Sequence, residues 1–233
     1  MDYRDHHVVV TGGAGALGTA VVGALTTAGA TCHVPCLNDG EAQHFALRNH
    51  PNVRITVGAD LASEATVAAL YDAVPQLWAS IHLAGGFAAA AIGDTSKADL
   101  MRQIDLNLVT CFLCCRAAVV AIRRTAAGGR IVNVAARPGL EWRTGAGMTA
   151  YAASKAAVAA LTAALAEEVV KDNILVNAVA PSILDTAANR QAMPKADHAA
   201  WPKVEEVAGT ILYLASPENR VARGGVIPVF GKS

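Results

Sequence analysis

Short runs of β-branched residues alternate with longer Ala- and Leu-rich stretches along the whole chain, and this alternation limits the fold most strongly. A strand is predicted at 7–10 and a helix at about 16–28. Further strands are predicted at 31–34, 53–57, 80–83, 129–134, 174–178 and 226–229, and helices around 64–74, 99–125, 151–171 and 204–215. Such alternation predicts an α/β fold with a single doubly wound parallel sheet and helices on both faces.

No Ser- or Gly-rich linker and no shift in composition marks a second domain, so residues 1–233 are predicted to form a single domain. Hydrophobic residues make up 53% of the chain and charged residues 16%, which excludes a disordered chain. This composition suits a large buried core with further apolar surface covered by partner subunits. We therefore expect a homo-oligomer.

The charges exclude some partners. Nineteen basic residues balance nineteen acidic ones, so the chain has no overall field that would attract nucleic acid. We find neither a signal-peptide pattern near the first strand nor an apolar run suited to spanning a bilayer, and we expect a cytoplasmic protein without a membrane partner. The five cysteines match neither a disulfide framework nor a zinc motif, and we expect them to be buried, with no metal bound.

A Gly-rich turn follows the first predicted strand. The residues Gly13, Gly15 and Gly18 match the GxGxxG pattern, in which small residues let backbone amides approach a pyrophosphate at the start of a helix. Tight strand-to-helix packing alone also produces such turns, but the position between strand and helix favours a dinucleotide. The predicted contacts are Gly12, Gly15, Ala16, Leu17 and Gly18.

The end of the second strand usually distinguishes the two nicotinamide cofactors. An acidic residue there binds the adenosine ribose, whereas an arginine nearby neutralises a 2′-phosphate. Here the aligned residue is Cys36, with Asn38 and Asp39 shortly after it. The sequence therefore leaves both NAD and NADP open as the cofactor.

Tyr151 and Lys155 are four residues apart at the start of a predicted helix, which places both side chains on one face. A phenol with a pKa near about 10 is a poor acid or base at neutral pH, but a fixed neighbouring cation lowers that pKa. Tyr151 is then able to exchange a proton with a substrate while a hydride moves. A packing tyrosine beside a solvated lysine is the alternative for an isolated pair.

In these motifs the chain resembles the short-chain dehydrogenase/reductase family, and the resemblance extends over nearly its whole length. It rests on the Gly-rich turn, Ala84-Gly85, Asn107, Tyr151-x-x-x-Lys155 and the run from Asn177 to Pro181 that continues to Thr186. It implies a Rossmann fold, bound NAD(H) or NADP(H), a dimer or tetramer, Tyr151 as proton donor, Lys155 on the nicotinamide ribose and Asn107 supporting a relay water. Further implied cofactor contacts are Asp60, Leu61, Ala84, Gly85, Gly86, Pro181, Ile183 and Thr186.

The chain departs from the family pattern where a serine usually hydrogen-bonds the substrate oxygen. Ala136 occupies that position, and His82 and Leu83 replace a pair of asparagines. Loss of one oxyanion donor costs roughly 10²–10³ in rate in other enzymes. The dihydropteridine reductase group also lacks this serine, and the chain resembles it in Ala135-Ala136-Arg137 and in the segment from Leu184 to Trp201. A quinonoid pterin spreads incoming charge over its ring and needs such a donor less.

Two loops, at about 137–150 and 182–203, are predicted to border the substrate. Trp142 is either an aromatic wall for a flat substrate or a surface residue, and Arg137 and Arg143 either bind an anion or solvate the rim. Ser182 or Thr144 is a candidate for the missing hydroxyl donor. The predicted substrate contacts are Ala136, Trp142 and Ser182.

Three functions fit these residues. The first is an NAD(P)H-dependent oxidoreductase that transfers hydride to a small carbonyl compound, reversibly with the alcohol. The second is a reductase of quinonoid dihydropteridines or of other C=N acceptors. The third is a non-catalytic NAD(P) sensor, which the missing serine favours and the complete set of Tyr151, Lys155 and Asn107 disfavours.

Overall fold

The computed structural model describes residues 1–233 and shows one seven-stranded sheet, in the order β3-β2-β1-β4-β5-β6-β7. All neighbouring strands pair in parallel. The strands are β1 His7–Thr11, β2 Thr31–Cys36, β3 Val53–Val57, β4 Leu77–His82, β5 Gly129–Val134, β6 Ile174–Pro181 and β7 Val226–Val229. The predicted doubly wound parallel sheet is confirmed.

Nine α-helices accompany the sheet. They are α1 Ala16–Thr27, α2 Asp39–His44, α3 Glu64–Asp72, α4 Lys97–Ile104, α5 Thr110–Arg123, α6 Arg137–Leu140, α7 Thr149–Glu168, α8 Ala187–Ala192 and α9 Val204–Ala215. A π-helical turn, Asp105–Val109, joins α4 to α5, so the predicted helix at 99–125 is one run with a wider turn inside it. Such turns are frequent at functional sites.

The short helices were not predicted, because their backbone is held by caps and loop contacts rather than by an apolar face. The Asn38 side chain caps α2 by accepting a hydrogen bond from the Glu41 amide, and Thr186 caps α8 through the Asn189 amide. Neither helix has a buried residue. A helix without buried residues has no amphipathic pattern, so the sequence could not predict these segments as helical.

The core lies on both faces of the sheet. Val8 and Val10 of β1 pack with α1 and α9 on one face, whereas Val9 packs with α3 and α5 on the other. Successive side chains of a strand point to opposite faces, so a strand buried on both sides is apolar at every position. This double burial explains the continuous β-branched runs in the sequence.

The sequence was expected to contain no segment suited to spanning a membrane, and this expectation was wrong when helices are judged by length and composition alone. The runs Lys97–Arg123 and Thr149–Glu168 are long and apolar enough to cross a bilayer. In the structure, however, α5 packs against β4 and β5, and α7 packs against β5 and β6. A helix that covers a sheet needs apolar residues for that contact, which gives it the same composition.

Candidate active site

The Gly-rich turn lies at the carboxyl end of β1, and two of its glycines are required by close backbone approach. Gly12 has a φ of +64°, and a Cβ atom on it would lie 2.7 Å from the Ala84 nitrogen. A Cβ atom on Gly18 would collide with the Gly12 carbonyl oxygen. Gly15 is the N-cap residue of α1, and no side chain caps the first amides of that helix. Uncapped amides at a helix start, in a turn without side chains, fit the pyrophosphate of a dinucleotide.

The segment Ala84–Gly86 follows β4 and is tied to the end of β1. The Leu83 amide donates to the Thr11 carbonyl oxygen at 3.1 Å, and the Ala84 amide donates to Thr11 Oγ1 at 3.2 Å. The ends of β1 and β4 are thereby brought together, and the predicted contacts in the Gly-rich turn and at 84–86 lie side by side.

Asn107 lies in the π-helical turn and holds this segment from the other side. Its Oδ1 accepts a hydrogen bond from the Gly86 amide at 3.0 Å, and its Nδ2 donates to the Gly86 carbonyl oxygen at 3.0 Å. Nδ2 also donates to Ser154 Oγ at 3.1 Å. The Asn107 side chain therefore positions Gly86 and Ser154, and its implied support of a relay water stays a prediction.

Ser154 was missed by the sequence reasoning. Its hydroxyl is buried and donates to the Tyr151 carbonyl oxygen at 2.7 Å while it accepts from Asn107. It thus links the π-helical turn to the first turn of α7. The available signal was its position between Tyr151 and Lys155, on the helix segment that the motif singles out.

Tyr151 and Lys155 lie one turn apart on α7, as their spacing predicts. The Tyr151 ring meets the Phe87 ring edge to face, with centroids 5.0 Å apart. The Lys155 ammonium is buried and donates to the Val134 carbonyl oxygen at 2.8 Å. A Cβ atom on Gly85 would lie 2.6 Å from Asn107 Oδ1 and 3.5 Å from Lys155 Nζ, so Gly85, Asn107 and Lys155 meet at one point.

Residues 6–197 match the family model described as short chain dehydrogenase. The chain belongs to the short-chain dehydrogenase family. It is 34% identical to a galactitol 2-dehydrogenase of Rhizobium johnstonii, over 95% of this chain and 92% of that protein. It is 30% identical to a cyclopentanol dehydrogenase of Comamonas testosteroni, over 98% of this chain and 96% of the relative.

The fold is also that of solved structures of family members. A structure of ElxO with NADP bound superimposes with a TM-score of 0.88, at 21% identity and over 97% of each chain. These likenesses show an NAD(P)-dependent oxidoreductase of the short-chain family. The finer resemblance to the dihydropteridine reductase group stays a prediction.

Electrostatics at the Tyr151–Lys155 pair of this dehydrogenase differ from the expectation. Burial raises the pKa of Tyr151 to about 12, and burial lowers the pKa of Lys155 to about 8. The predicted depression of the Tyr151 pKa by Lys155 is therefore not found. The physical reason is that desolvation disfavours both charged forms, and the ammonium is directed to the Val134 carbonyl oxygen.

The substrate side of the dehydrogenase lacks a free hydroxyl at the expected places. Ala136 is buried between β5 and α6 and offers none. Ser182 Oγ donates to the Phe230 carbonyl oxygen at 2.9 Å, and Thr144 Oγ1 donates to the Glu141 carbonyl oxygen at 2.8 Å. Both hydroxyls already have a backbone acceptor. Trp142 is 77% exposed.

Arg137, on the rim of the same loop, forms an ion pair with Glu141 and lies over the Phe230 ring, 4.9 Å from its centroid. Arg143, the other arginine of this loop, is exposed. A cavity of about 200 Å³ lies between the segment 88–103 and the start of α7, where Met148, Thr149 and Ala150 line it.

The remaining predicted contacts fall at the carboxyl edge of the sheet. Asp60 and Leu61 follow β3, and the Asp60 carboxylate accepts from the Ala62 amide at 2.9 Å. Pro181 ends β6, Ile183 is 40% exposed in the loop after it, and Thr186 caps α8. The sheet therefore presents all of these residues at the edge where parallel folds bind ligands.

His82 belongs to a buried polar network that sequence reasoning did not resolve. Its Nε2 lies 2.8 Å from Ser80 Oγ and its Nδ1 lies 2.8 Å from Asn133 Oδ1. The Cys115 thiol donates to Asn133 Oδ1 at 3.4 Å, and its pKa is raised by a hydrogen bond with Cys111 and by burial. All five cysteines are buried and free, as expected. This network joins β4, β5 and α5 in the core.

Proposed function

We propose that this enzyme transfers hydride from a reduced nicotinamide cofactor to a small carbonyl compound, reversibly with the alcohol, and that Tyr151 donates the proton. The observation that carries the proposal is the meeting of Gly85, Asn107 and Lys155 beneath the first turn of α7, which carries Tyr151. The relatives named as dehydrogenases of galactitol and of cyclopentanol act on small alcohols, which supports the same substrate class here.

The nicotinamide supplies the hydride, and the protein's own groups supply position and a proton. Because burial raises its pKa to about 12, Tyr151 is protonated at neutral pH, which is the form that a reduction needs from its acid. Lys155, with a pKa of about 8, is mainly charged at pH 7. Its buried ammonium is suited to hold a ribose hydroxyl.

The cofactor-binding residues are proposed as predicted: the Gly-rich turn with Ala16 and Leu17, Asp60 and Leu61, Ala84 to Gly86, and Pro181, Ile183 and Thr186. Asn107 acts as a positioning residue through its two hydrogen bonds to Gly86. The domain comprises residues 1–233, with the substrate loops at about 137–150 and 182–203.

A second candidate reaction is the reduction of a quinonoid dihydropteridine or another C=N acceptor. It is favoured by Ala136, which leaves the substrate oxygen without the usual hydroxyl donor, and by the engagement of Ser182 and Thr144 with backbone carbonyls. An acceptor that spreads charge over a conjugated ring is less affected by that loss than a plain ketone.

A substrate panel decides between the two reactions. Initial rates are measured with cyclic ketones, polyol-derived ketoses and a quinonoid dihydropterin, with Tyr151→Phe and the exposed Tyr213→Phe as matched variants. The proposal is supported if the enzyme reduces the carbonyl compounds, if Tyr151→Phe lowers that rate about 10²–10⁴-fold, and if Tyr213→Phe keeps it. Turnover of the pterin alone favours the second reaction, and full activity of Tyr151→Phe excludes the proton-donor role.

We further propose that the enzyme is a cytoplasmic homodimer or homotetramer. Its five cysteines are all free, which suits a reducing compartment. Leu106, Phe112 and Val120 are apolar residues of the π-helical turn and α5 that stay more than 40% exposed in one chain. Light scattering after gel filtration measures the mass, and a monomer at micromolar concentration contradicts the oligomer.

A further inference from the structure

The turn after β2 carries neither of the groups that usually bind the adenosine ribose or its phosphate. Cys36 ends the strand as a buried thiol, and burial raises its pKa to about 11, so it is uncharged at neutral pH. Leu37 follows with 60% of its surface exposed. The discrimination between a ribose hydroxyl and a 2′-phosphate must therefore come from other residues of the turn.

Glu41 folds back onto this turn. Its Oε2 accepts a hydrogen bond from the Leu37 amide at 2.7 Å, and its own amide donates to Asn38 Oδ1 at 3.0 Å. These two bonds, one to Leu37 and one to Asn38, hold the carboxylate at the first residue after the strand. The backbone amide that could otherwise receive an anion is occupied by a negative group of the chain itself.

The surrounding segments contain no compensating cation. Residues 12–27, 31–47 and 56–66 include no lysine or arginine, and they carry the four carboxylates Asp39, Glu41, Asp60 and Glu64. These segments meet at one edge, because the Ala59 amide donates to the Cys36 carbonyl oxygen at 3.0 Å and a Cβ atom on Gly13 would lie 2.9 Å from Val34 Cγ1. The edge is therefore negative where the adenosine end of the cofactor would lie.

We propose that this turn makes the enzyme selective for NAD(H) over NADP(H), and that Glu41 is the residue that enforces the choice. A phosphate monoester carries about −1.5 to −2 charges at pH 7 and needs donors or cations. Here it would meet the Glu41 carboxylate on the Leu37 amide. A ribose hydroxyl, by contrast, is able to donate a hydrogen bond to a carboxylate, and such a bond is favourable. The inference rests on the cofactor use of the family and on no particular substrate.

Binding by isothermal titration calorimetry tests this proposal without turnover. The purified enzyme is titrated with NAD⁺, NADP⁺, 5′-AMP and 2′,5′-ADP. Glu41→Gln keeps an oxygen for the Leu37 amide and removes only the charge; Asp39→Asn and the exposed Glu205→Gln are the comparison variants. Circular dichroism and the melting temperature establish that each variant is folded.

We expect NAD⁺ to bind at least tenfold more tightly than NADP⁺ in the parent enzyme. In Glu41→Gln that ratio falls about five- to tenfold, through tighter binding of NADP⁺ and 2′,5′-ADP, while the affinity for 5′-AMP stays within about twofold. Asp39→Asn has a smaller effect, since its carboxylate is not held on the Leu37 amide, and Glu205→Gln has none.

Equal or tighter binding of NADP⁺ by the parent overturns the selectivity. An unchanged ratio in Glu41→Gln overturns the role of Glu41. Failure of both dinucleotides to bind would overturn the proposal together with the cofactor assignment. Inactivity towards carbonyl compounds leaves these binding results standing and counts only against the proposed reaction.

Discussion

The Lys155 ammonium donates a hydrogen bond to the Val134 carbonyl oxygen at 2.8 Å, which ties α7 to the end of β5. The contact keeps a charged group in a site that is 7% exposed. A backbone carbonyl oxygen offsets only part of the lost hydration, so the pKa of Lys155 stays low, at about 8. Burial of the ammonium therefore both fixes the position of the cation and lowers the stability of the folded chain.

This cost predicts how stability depends on pH. The pKa of Lys155 is about 8 in the folded chain and 10.5 ordinarily, so between these values the unfolded chain binds a proton that the folded chain lacks. The free energy of unfolding then rises with pH, by up to about 1.4 kcal/mol per pH unit from this group. Above pH 10 the raised pKa of Tyr151 acts in the opposite direction, because only the folded chain keeps that proton.

Urea unfolding between pH 8 and 9.8 checks the prediction, with Lys155→Met as the variant. We expect a smaller slope against pH in Lys155→Met, since its unfolded and folded chains no longer differ at this position. The exposed Lys171→Met is the control and keeps the parental slope. Identical slopes in the parent and Lys155→Met would contradict the assigned pKa.

Asn107→Ala is expected to lower both stability and cofactor affinity. The variant leaves the Gly86 amide and carbonyl oxygen without their partner and removes a donor from Ser154. Loss of these bonds costs about 1–3 kcal/mol in the free energy of unfolding. We expect the affinity for the dinucleotide to fall about tenfold, because Ala84–Gly86 is no longer held, and calorimetry measures this. The exposed Asn49→Ala serves as control; parental affinity in Asn107→Ala would argue against the positioning role.

Gly85→Ala places a methyl group where the structure has no room. The added Cβ atom would lie 2.6 Å from Asn107 Oδ1, whereas a Cβ atom on Gly93 meets nothing within 4 Å. Overpacking of this kind costs about 1–3 kcal/mol. We expect the free energy of unfolding to fall by that amount in Gly85→Ala and to change by no more than about 1 kcal/mol in Gly93→Ala. Chemical denaturation measures both, and equal stabilities would show that the segment adjusts freely.

Ala136→Ser tests the consequence of the missing hydroxyl. Ala136 has extended backbone with φ −161°, which a serine adopts without strain. A restored donor is expected to raise kcat with a plain ketone by about tenfold or more and to change the rate with a conjugated C=N acceptor much less. Steady-state rates with both substrates measure the difference, with the exposed Ala160→Ser as control. A uniform effect on the two substrates would mean that the hydroxyl does not meet the substrate oxygen.

Local spacing explains why much of the site was predictable. The four-residue interval puts Tyr151 and Lys155 on one helix face wherever the helix lies, and the glycines of the first turn report a backbone conformation that other residues resist. The seven strands were predicted from runs of β-branched residues, which are longest where central strands such as β1 and β6 are buried on both faces. The start of β4 at Leu77 and the end of β6 at Pro181 were missed, since pairing with neighbouring strands sets those limits.

The sequence by itself thus determined the parallel α/β fold, the Gly-rich turn after β1 and the helix face that carries the phenol and the ammonium. Only the tertiary structure decided what surrounds them. It joined Asn107 to Ser154 across 47 residues and placed the Glu41 carboxylate on the turn after β2. It also reversed the expected direction of the Tyr151 pKa, because desolvation depends on the whole packed environment and not on the four residues between two side chains.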